Sequence, residues 1–332
     1  MRALITGGCG FVGRRFVRRL LNDGHDVDVI DDLSTGLHPD EWPSFLRPTV
    51  AQRLNRLQFS YHDLRDFIRL EYGFAKMSSY DLVIHLAAVV GGRLKIEGDP
   101  LAVATDLAID ADFFNWVVRD PPKKVIYFSS SAVYPVESQQ RDRACPLSEG
   151  FVDFERNRLS LPDMTYGWAK LTGEYLAQHA AKKYGLDVVI YRPFSGYGCD
   201  QALDYPFPSI IKRVVDREDP VTVWGSGEQV RDFIYIEDVV DIVMATMDKL
   251  RPGEALNLGS GTATSFYQLA AMACLVLDHK AMIAIDPTKP EGVFHRVADV
   301  HKMSHYAKPT VSPTSLEEGI RRVARWLTAP KI

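Results

Sequence analysis

Residues 2–32 of this 332-residue chain read RALITGGCGFVGRRFVRRLLNDGHDVDVIDD. Two short apolar runs, ALIT and VDVID, flank a glycine-rich turn and the helical pattern FVGRRFVRRLLNDG. This order predicts a strand, a tight turn, a helix and a second strand. A strand that is joined through a helix to the next strand is the repeating unit of a parallel sheet, so these residues predict an α/β protein.

The same alternation continues through the first half of the chain. Further strands are predicted at LVIHLAA, KVIYFSS and LDVVIYR, with helices over about 100–118 and over TYGWAKLTGEYLAQHAAKKYG. Buried apolar strands separated by helices predict a Rossmann-type, doubly wound parallel sheet over residues 1–192. Prolines then interrupt the rhythm, so residues 193–332 are interpreted mainly as a smaller C-terminal lobe, with about 233–262 returning to the first domain.

Composition and charge argue against several classes of protein. The formal net charge is −4 without a basic stripe, which argues against nucleic acid and a membrane surface as partners. No run of about 18 apolar residues predicts a membrane span, and the N-terminal apolar stretch is too short for a signal peptide. The four cysteines form no CxxC pair and are expected to be free thiols. We therefore expect a soluble cytoplasmic protein.

The turn after the first strand has the glycine spacing of a dinucleotide site. Gly7, Gly10 and Gly13 form a GxxGxxG pattern between strand and helix. The first glycine permits the tight turn, the second lets the backbone approach a pyrophosphate, and the third lets helix and strand pack closely. The helix N-terminus adds N–H donors and a positive dipole. A glycine pattern alone is weak evidence, because glycine turns are common.

Acidic residues at strand ends strengthen this interpretation. The second strand ends at Asp31 and Asp32, 18 residues after Gly13. A carboxylate there can accept hydrogen bonds from ribose hydroxyls and would repel a 2′-phosphate, so NAD is favoured over NADP as the cofactor. Asp63, after the third strand, is placed to meet the adenine edge. The alternative is that these carboxylates only begin turns.

Tyr166 and Lys170 are four residues apart, on one face of a predicted helix. A free tyrosine has a pKa of about 10 and is a poor base at neutral pH, but a neighbouring ammonium favours the phenolate. Tyr166 can then accept the proton of a substrate hydroxyl while hydride leaves the same carbon. The turn SSSAVY at 129–134 offers a serine that can hold this hydroxyl. A YxxxK pair alone is more often a pair on a helix surface.

Together these motifs resemble the NAD-dependent nucleotide-sugar epimerase/dehydratase family of extended short-chain dehydrogenases/reductases. The resemblance rests on GxxGxxG, Asp31, HLAA at 85–88, SSSAVY, YxxxK and RDFIYIED at 231–238, and it covers nearly the whole chain. It implies an enzyme with a Ser130, Tyr166 and Lys170 catalytic triad, bound NAD and a nucleoside diphosphate sugar as substrate. The residues expected to bind NAD are Gly7, Gly10, Phe11, Val12, Gly13, Asp31, Asp32, Asp63, Leu64, Leu86, Ala87, Ala88, Tyr166, Lys170 and Pro193.

The resemblance also implies that the C-terminal lobe binds the nucleotide part of the substrate. WGSG at 224–227 would line the nucleotide end, and Arg231 and Arg296 would contact phosphate, because guanidinium forks suit phosphate oxygens. For each arginine, a surface salt bridge is the alternative. No metal site is expected, since the histidines are scattered. The residues expected to bind substrate are Gly92, Arg93, Ser130, Ser131, Ser195, Trp224, Arg231 and Arg296.

Ala132 bears on which reaction of the family to expect. Dehydratases, decarboxylases, 3,5-epimerases and fucose synthases of the family usually carry an acid or a cysteine at this position, whereas an alanine can neither take nor give a proton. Sugar 4-epimerases need only the triad. C4 is oxidised, the 4-keto sugar rotates in the site, and the same hydride returns to the other face of the sugar. The resemblance therefore favours a 4-epimerase, or at least C4 oxidation.

Other features keep alternatives open. AAVVGGR at 87–93 and PEGV at 290–293 resemble the branch of GDP-mannose 3,5-epimerase and GDP-fucose synthase, and two usual asparagines are Asp106 and Ser195 here. A 3,5-epimerase, a 4-ketoreductase or a decarboxylase is therefore the alternative within the family. From another class, a non-catalytic NAD-binding scaffold or sensor is the alternative. Such proteins typically lose the tyrosine or the lysine, and both are present.

The family resemblance also implies a homodimer. Its contact would be a four-helix bundle built from the predicted helix over about 100–118 and the YxxxK helix over about 165–183 of each protomer. Apolar residues on the first of these helices are candidates for the contact patch. They are Phe113, Phe114, Trp116 and Val117.

Overall fold

The computed structural model describes residues 1–70, 77–155, 160–307 and 313–329, so residues 156–159 of the long segment over 149–165 lie outside it. The strands are β1 (Arg2–Thr6), β2 (Asp26–Asp31), β3 (Leu57–Tyr61), β4 (Leu82–His85), β5 (Val125–Phe128), β6 (Val188–Pro193), β7 (Ser195–Tyr197), β8 (Val221–Trp224), β9 (Val230–Tyr235), β10 (Ala255–Leu258), β11 (Ala263–Ser265), β12 (Ile283–Asp286) and β13 (His295–Arg296). The α-helices are α1 (Gly13–Asn22), α2 (Val50–Arg56), α3 (Leu64–Leu70), α4 (Arg93–Gly98), α5 (Pro100–Val103), α6 (Thr105–Val117), α7 (Met164–Tyr184), α8 (Pro206–Val215), α9 (Ile236–Thr246), α10 (Phe266–Val276), α11 (His301–Ala307) and α12 (Leu316–Thr328).

Seven strands form the main sheet in the order β10-β6-β5-β4-β1-β2-β3, and every neighbouring pair is parallel. β2 and β3 extend the sheet on one side of β1, whereas β4, β5, β6 and β10 extend it on the other. The winding therefore reverses beside β1, as in doubly wound sheets. The predicted Rossmann-type parallel sheet is confirmed.

Side chains of the strands alternate between two cores, one on each face of the main sheet. Ala3 and Ile5 of β1 pack with α1, α9 and α11, whereas Leu4 packs with α3, α6 and α7. Because these strands are buried on both faces, their sequences are nearly continuous apolar runs. Each fully buried side chain of the size of Ile5 or Leu4 contributes about 1.5–3 kcal/mol through its removal from water.

Two predictions of local structure need correction. The helix predicted over about 100–118 is broken at Ala104 into α5 and α6. The sequence 33–55, with three prolines, predicts a long loop, but α2 begins within it at Val50 and is stabilised at its start by a capping box between Thr49 and Gln52. Both differences are local, and neither changes the order of the strands in the main sheet.

The apolar contact patch predicted on α6 is wrong. Its four side chains are at most 7% exposed and lie in the core between α6 and the sheet, so they are unavailable to a second protomer. The four are Phe113, Phe114, Trp116 and Val117. Apart from Tyr184 at the C-terminal end of α7, the large exposed apolar side chains on the same pair of helices are Leu107 of α6 and Trp168 and Tyr175 of α7. The homodimer stays a prediction, with these three residues as its candidate contacts.

Two small sheets build the C-terminal lobe. In the first, β9 pairs with β11, β13 and β7, and in the second β8 pairs with β12. Helices α8, α10 and α12 pack around them in a separate core that includes Phe207, Val221 and Val223. After β9 the chain returns to the larger body, because α9 packs against α1 and β10 pairs with β6. Within the described ranges, none of the helices has the length and apolar character to cross a membrane.

Candidate active site

The carboxyl ends of the parallel strands bring the predicted cofactor and reaction residues to one edge of the main sheet. Gly7 follows β1, Asp31 ends β2, Leu86 follows β4, Ser129 follows β5, and Pro193 ends β6. Open α/β sheets bind their ligands at this edge, where the winding reverses. The topology therefore places together residues that are far apart in the sequence.

The glycine-rich turn between β1 and α1 has no room for side chains. Gly7 has a left-handed φ of 70°, and a Cβ atom there would lie 2.7 Å from the backbone nitrogen of Ala87. A Cβ atom on Gly13 would overlap the Gly7 carbonyl, and one on Gly10 would lie 3.3 Å from the same oxygen. The turn is thus a cradle lined by backbone at the start of α1. Such a cradle fits the pyrophosphate of a dinucleotide.

Asp31 joins the end of β2 to this cradle. Its Oδ2 accepts a hydrogen bond from the Cys9 amide (2.9 Å), and its Oδ1 accepts one from the Leu33 amide (2.8 Å). Burial raises the pKa of Asp31, and the two backbone donors oppose that rise. Asp32 is exposed instead and accepts a hydrogen bond from the Ser34 amide (2.9 Å). Of the two predicted carboxylates, Asp31 is therefore the one beside the cradle.

Asp63 is already paired within the chain. Arg65 donates to it from its amide (2.8 Å), Nε (3.0 Å) and Nη2 (2.6 Å), and the side-chain hydrogen bonds lower the pKa of Asp63. An adenine contact by Asp63 would have to be made alongside Arg65, so this role stays a prediction. The other predicted NAD contacts near the same edge are buried or half-buried. They are Phe11, Val12, Leu64, Leu86, Ala87, Ala88 and Pro193.

The start of α7 lies directly against the serine turn that follows β5. The Asp163 amide donates to the Ala132 carbonyl (2.9 Å), and a Cβ atom on Gly167 would overlap that same oxygen. Glycine at 167 therefore permits the close approach that brings Tyr166 to Ser130. Ser130 lies close enough to the Tyr166 hydroxyl to lower the pKa of Tyr166. Lys170 lies one helical turn further along α7, so the three predicted triad residues come together.

Burial and charge act in opposite directions on the triad. Burial raises the pKa of Tyr166, and the Lys170 ammonium and the nearby Ser130 hydroxyl only partly offset this rise. The predicted effect of the ammonium is therefore present, but burial outweighs it. Burial alone would lower the pKa of Lys170, yet Asp110, Tyr166 and Asp106 raise it overall. Lys170 is thus a buried cation, 3% exposed, held by neighbouring negative charge.

A buried ion pair supports the serine turn from behind. Arg192 of β6 donates to Glu174 of α7 through Nε (2.8 Å) and Nη2 (2.6 Å), and both side chains are at most 1% exposed. Ser129 donates to Glu174, and the Tyr134 hydroxyl accepts from Arg192 (3.1 Å). The pair thus fixes both ends of the turn. The sequence analysis missed it, although the spacing YxxxKxxxE offered a signal.

A second buried network lies behind Lys170. His85 Nδ1 lies 2.7 Å from Thr6 Oγ1, and His85 Nε2 lies 3.1 Å from Asp110 Oδ1. The Tyr127 hydroxyl donates to Asp110 Oδ2 (2.5 Å), and Lys170 Nζ lies 5.2 Å from the centre of the Tyr127 ring. Burial lowers the pKa of His85. Burial by itself would raise the pKa of Asp110, but Lys170 and His85 lower it overall, so Asp110 is the counter-ion of Lys170.

Three arginines cluster on the side of the C-terminal lobe, and two of them share one carboxylate. Arg93 Nη2 and Arg296 Nη2 both donate to Asp163 Oδ2, at 2.9 and 2.7 Å. Arg231 donates to two backbone carbonyls instead, at 2.8 and 2.9 Å. Burial, followed by the charges of Arg296 and Arg93, lowers the pKa of Arg231 to about 9. Among the described residues, Arg231 has no carboxylate within ion-pair distance, and guanidinium groups suit phosphate oxygens.

A chain of contacts connects Trp224 to this cluster. The Ser226 amide in the turn after β8 donates to Glu291 (3.2 Å). The next residue is Gly292, where a Cβ atom would lie 2.7 Å from Arg93 Nε. Trp224 and the arginines therefore lie along one rim of the site. The remaining predicted substrate residues are Gly92 before α4, Ser131 buried in the serine turn, and Ser195 at the start of β7.

The sequence analysis also missed residues that belong to no recognisable motif. Asp163 bridges two of the arginines, and Gln139, fully buried, accepts a hydrogen bond from Arg296 Nε (2.7 Å). Gly36 packs against the glycine-rich turn, because a Cβ atom there would lie 2.9 Å from Cys9 Cβ. Each depends on a contact between segments distant in sequence, so only the folded chain makes its position visible.

Comparisons with known proteins agree with the fold. The model of the NAD dependent epimerase/dehydratase family matches residues 3–259. Among curated relatives, a dTDP-4-dehydro-6-deoxy-D-allose reductase of a Streptomyces species is 28% identical over 335 residues, which cover 97% of this chain and 95% of the relative.

Solved structures share the fold over nearly the whole length. UDP-glucuronic acid 4-epimerase from Bacillus cereus, in complex with UDP-glucuronic acid and NAD, is 26% identical with a TM-score of 0.78, and the match covers 98% of this chain and 99% of that chain. UDP-glucose 4-epimerase from Thermotoga maritima, solved with UDP-glucose, is 24% identical with a TM-score of 0.80 and 98% of each chain covered. At that identity the second likeness concerns the fold alone.

Proposed function

Because the chain belongs to the NAD dependent epimerase/dehydratase family, we propose that it uses NAD to epimerise a nucleoside diphosphate sugar at C4. The observation that carries the proposal is the convergence of Ser130, Tyr166 and Lys170 beside Ala132. The triad has the groups that oxidation and reduction of an alcohol carbon require. Ala132 contributes no acid or base for an elimination or for proton removal from a neighbouring carbon.

Tyr166 is the proton carrier in this proposal. Tyr166 takes the proton of the C4 hydroxyl as hydride leaves C4. The 4-keto sugar then rotates to present its other face, and Tyr166 returns the proton as hydride is transferred back to C4. Ser130 orients the hydroxyl through its hydrogen bonds, and the Lys170 charge lowers the pKa of Tyr166 towards that of a usable base. When bound, NAD⁺ supplies the hydride acceptor. Hydride and proton both return to the sugar, so the cycle is balanced.

The backbone cradle and Asp31 support NAD as the cofactor. A dinucleotide pyrophosphate suits the turn at Gly7 and Gly13, where side chains would collide with backbone. The buried Asp31 carboxylate would repel the additional phosphate of NADP.

The arginine cluster supports a diphosphate on the substrate. Arg231 is half-buried, and its pKa is lowered to about 9, so an anion that arrives beside it would be favoured. Arg93 pairs with both Glu97 and Asp163, and Arg296 pairs with Asp163, but both can add hydrogen bonds from their remaining N–H groups. Free sugars without phosphate offer these groups nothing, which supports a nucleotide-linked substrate.

The test is a panel of UDP-, GDP-, CDP- and dTDP-sugars incubated with the purified protein in deuterated water and followed by NMR. We expect inversion at C4 of at least one sugar without deuterium at that carbon, because the hydride is returned from the cofactor. Deuterium at C3 or C5 would instead identify a 3,5-epimerase. Bound NAD with no conversion of any sugar would contradict an enzymatic function.

A 4-ketoreductase is the second candidate, because the reductase relative from Streptomyces is 28% identical over 97% of this chain. The same triad would then work in one direction, with Tyr166 giving its proton to a 4-keto oxygen. A 4-keto nucleotide sugar offered with NADH separates the two. A reductase oxidises one NADH for each product molecule, whereas an epimerase needs only a catalytic amount of NAD.

A further inference from the structure

Asp106 is a buried carboxyl of the reaction centre that the proposed mechanism does not use. Its Oδ1 accepts a hydrogen bond from the Val89 amide (2.5 Å). Its Oδ2 is buried and has no hydrogen-bond partner among the described residues, and the residue as a whole is fully buried. A carboxylate oxygen in this position is unfavourable when it carries charge, but acceptable when it carries a proton.

Ionisable groups face Asp106 from several elements. Helix α3, packed on the outside of α6, carries Arg65 and Arg69, which pair with Asp63 and Asp66. Helix α5 and the segment 86–92 contribute no ionisable side chain. The groups that act on Asp106 or on its immediate neighbours are Lys170 and Tyr166 from α7, Asp110 from α6, and, through Asp110, His85 from β4 and Tyr127 from β5.

The two buried carboxylates of α6 differ in the hydrogen bonds that they accept. Asp110 contacts His85 and accepts from Tyr127, and its pKa is lowered, so it stays ionised as the counter-ion of Lys170. Asp106 has one donor, and burial raises its pKa to about 6, although Lys170 and the Val89 amide oppose the rise. One carboxylate is thus a permanent charge, whereas the other changes charge close to neutral pH.

We propose that Asp106 is a positioning residue that, by gaining or losing a proton, sets how much of the Lys170 charge acts on Tyr166. When Asp106 is ionised, Lys170 is shared between two carboxylates, and the added negative charge raises the pKa of Tyr166. When Asp106 is protonated, Lys170 and Asp110 form a balanced pair, and the phenolate is easier to form. The consequence for turnover rests on the proposed function, whereas the titration of Asp106 does not.

The first experiment needs no substrate. The carboxyl carbons of aspartate are labelled with ¹³C, and their NMR signals are followed with pH in the unchanged protein, in D106N and in D238N. Asp238 is a matched control, since it is a buried carboxyl on α9 that bonds to Thr314. We expect D106N, but not D238N, to lack a signal with a midpoint at about pH 6. If the signal that D106N lacks titrates at about pH 4 in the unchanged protein, as ordinary carboxyls do, the proposal is overturned.

The second experiment measures kcat/KM of D106N and of the unchanged protein against pH, on the sugar that the panel identifies. We expect kcat/KM of D106N divided by that of the unchanged protein to be near one at about pH 5. Above about pH 7 this ratio should rise on the order of tenfold, because only the unchanged protein carries the negative charge of Asp106 there. A ratio that is constant across this range shows a purely structural role and overturns the proposal.

Two controls keep these outcomes separate. Asp106→Ser also removes the charge and replaces D106N if that variant does not fold, which circular dichroism and thermal melting decide. If the unchanged protein converts no sugar, the proposed function fails. The carboxyl titration still decides whether Asp106 changes charge near neutral pH.

Discussion

Removing one oxygen atom from Tyr166 separates proton transfer from folding. Tyr166→Phe keeps the ring at the start of α7 and removes the hydroxyl that lies close to Ser130. Ser130 keeps the hydrogen bond that it accepts from the Ala132 amide (3.1 Å). The cost in free energy of unfolding is therefore at most that of one hydrogen bond, about 1 kcal/mol.

The expected cost in turnover is much larger. A positioned general acid–base contributes about 10²–10⁴-fold to the rate, which corresponds to about 2.7–5.4 kcal/mol of activation free energy. Turnover of the identified sugar, NAD affinity by calorimetry and thermal melting are measured together. Tyr184→Phe is the matched control, because it makes the same chemical change at the exposed end of the same helix. Turnover at the unchanged rate with normal NAD binding would show that Tyr166 is not the base.

Three further predictions concern the cofactor, the charge of the triad and assembly. Asp31→Ala should weaken NAD binding and narrow its preference over NADP in calorimetric titrations; tighter binding of NADP than of NAD by the unchanged protein would contradict the role given to Asp31. Lys170→Met removes the charge that lowers the pKa of Tyr166, so the remaining activity should appear at higher pH, and an unshifted pH profile would count against this account. The protein should be a homodimer in solution, and Trp168→Glu, on the exposed face of α7, should yield monomers by light scattering. A monomeric mass of the unchanged protein at micromolar concentration would refute the dimer.

The sheet could be predicted because its information is local. Strands buried on both faces appear as short apolar runs, and Gly10 and Gly13 of the first turn are required by close approaches within the turn itself. The triad could be named for a similar reason. Its tyrosine and lysine are separated by one helical turn, and its serine stands at a strand end.

What could not be predicted depends on contacts between distant segments. The spacing from Lys170 marks Glu174 as a residue of interest, but its partner Arg192 becomes visible only when α7 lies against β6. Phe113 and its apolar neighbours suggested a surface patch, but which face of α6 meets the sheet is set by tertiary packing. The upward shift in the pKa of Tyr166 likewise reflects burial, which the YxxxK motif does not reveal.

The first turn of α7 connects the arginine cluster to Tyr166. Asp163 holds Arg93 and Arg296, and Tyr166 lies three residues later, with Met164 between them at a left-handed φ of 60°. A phosphate that takes over the guanidinium groups competes directly with Asp163, and the change is transmitted to the turn that carries the tyrosine. Binding energy gained at the phosphates, several bonds away from C4, is therefore available for positioning Tyr166 as the proton acceptor. A truncated substrate that lacks its phosphates should consequently lose kcat and not merely affinity.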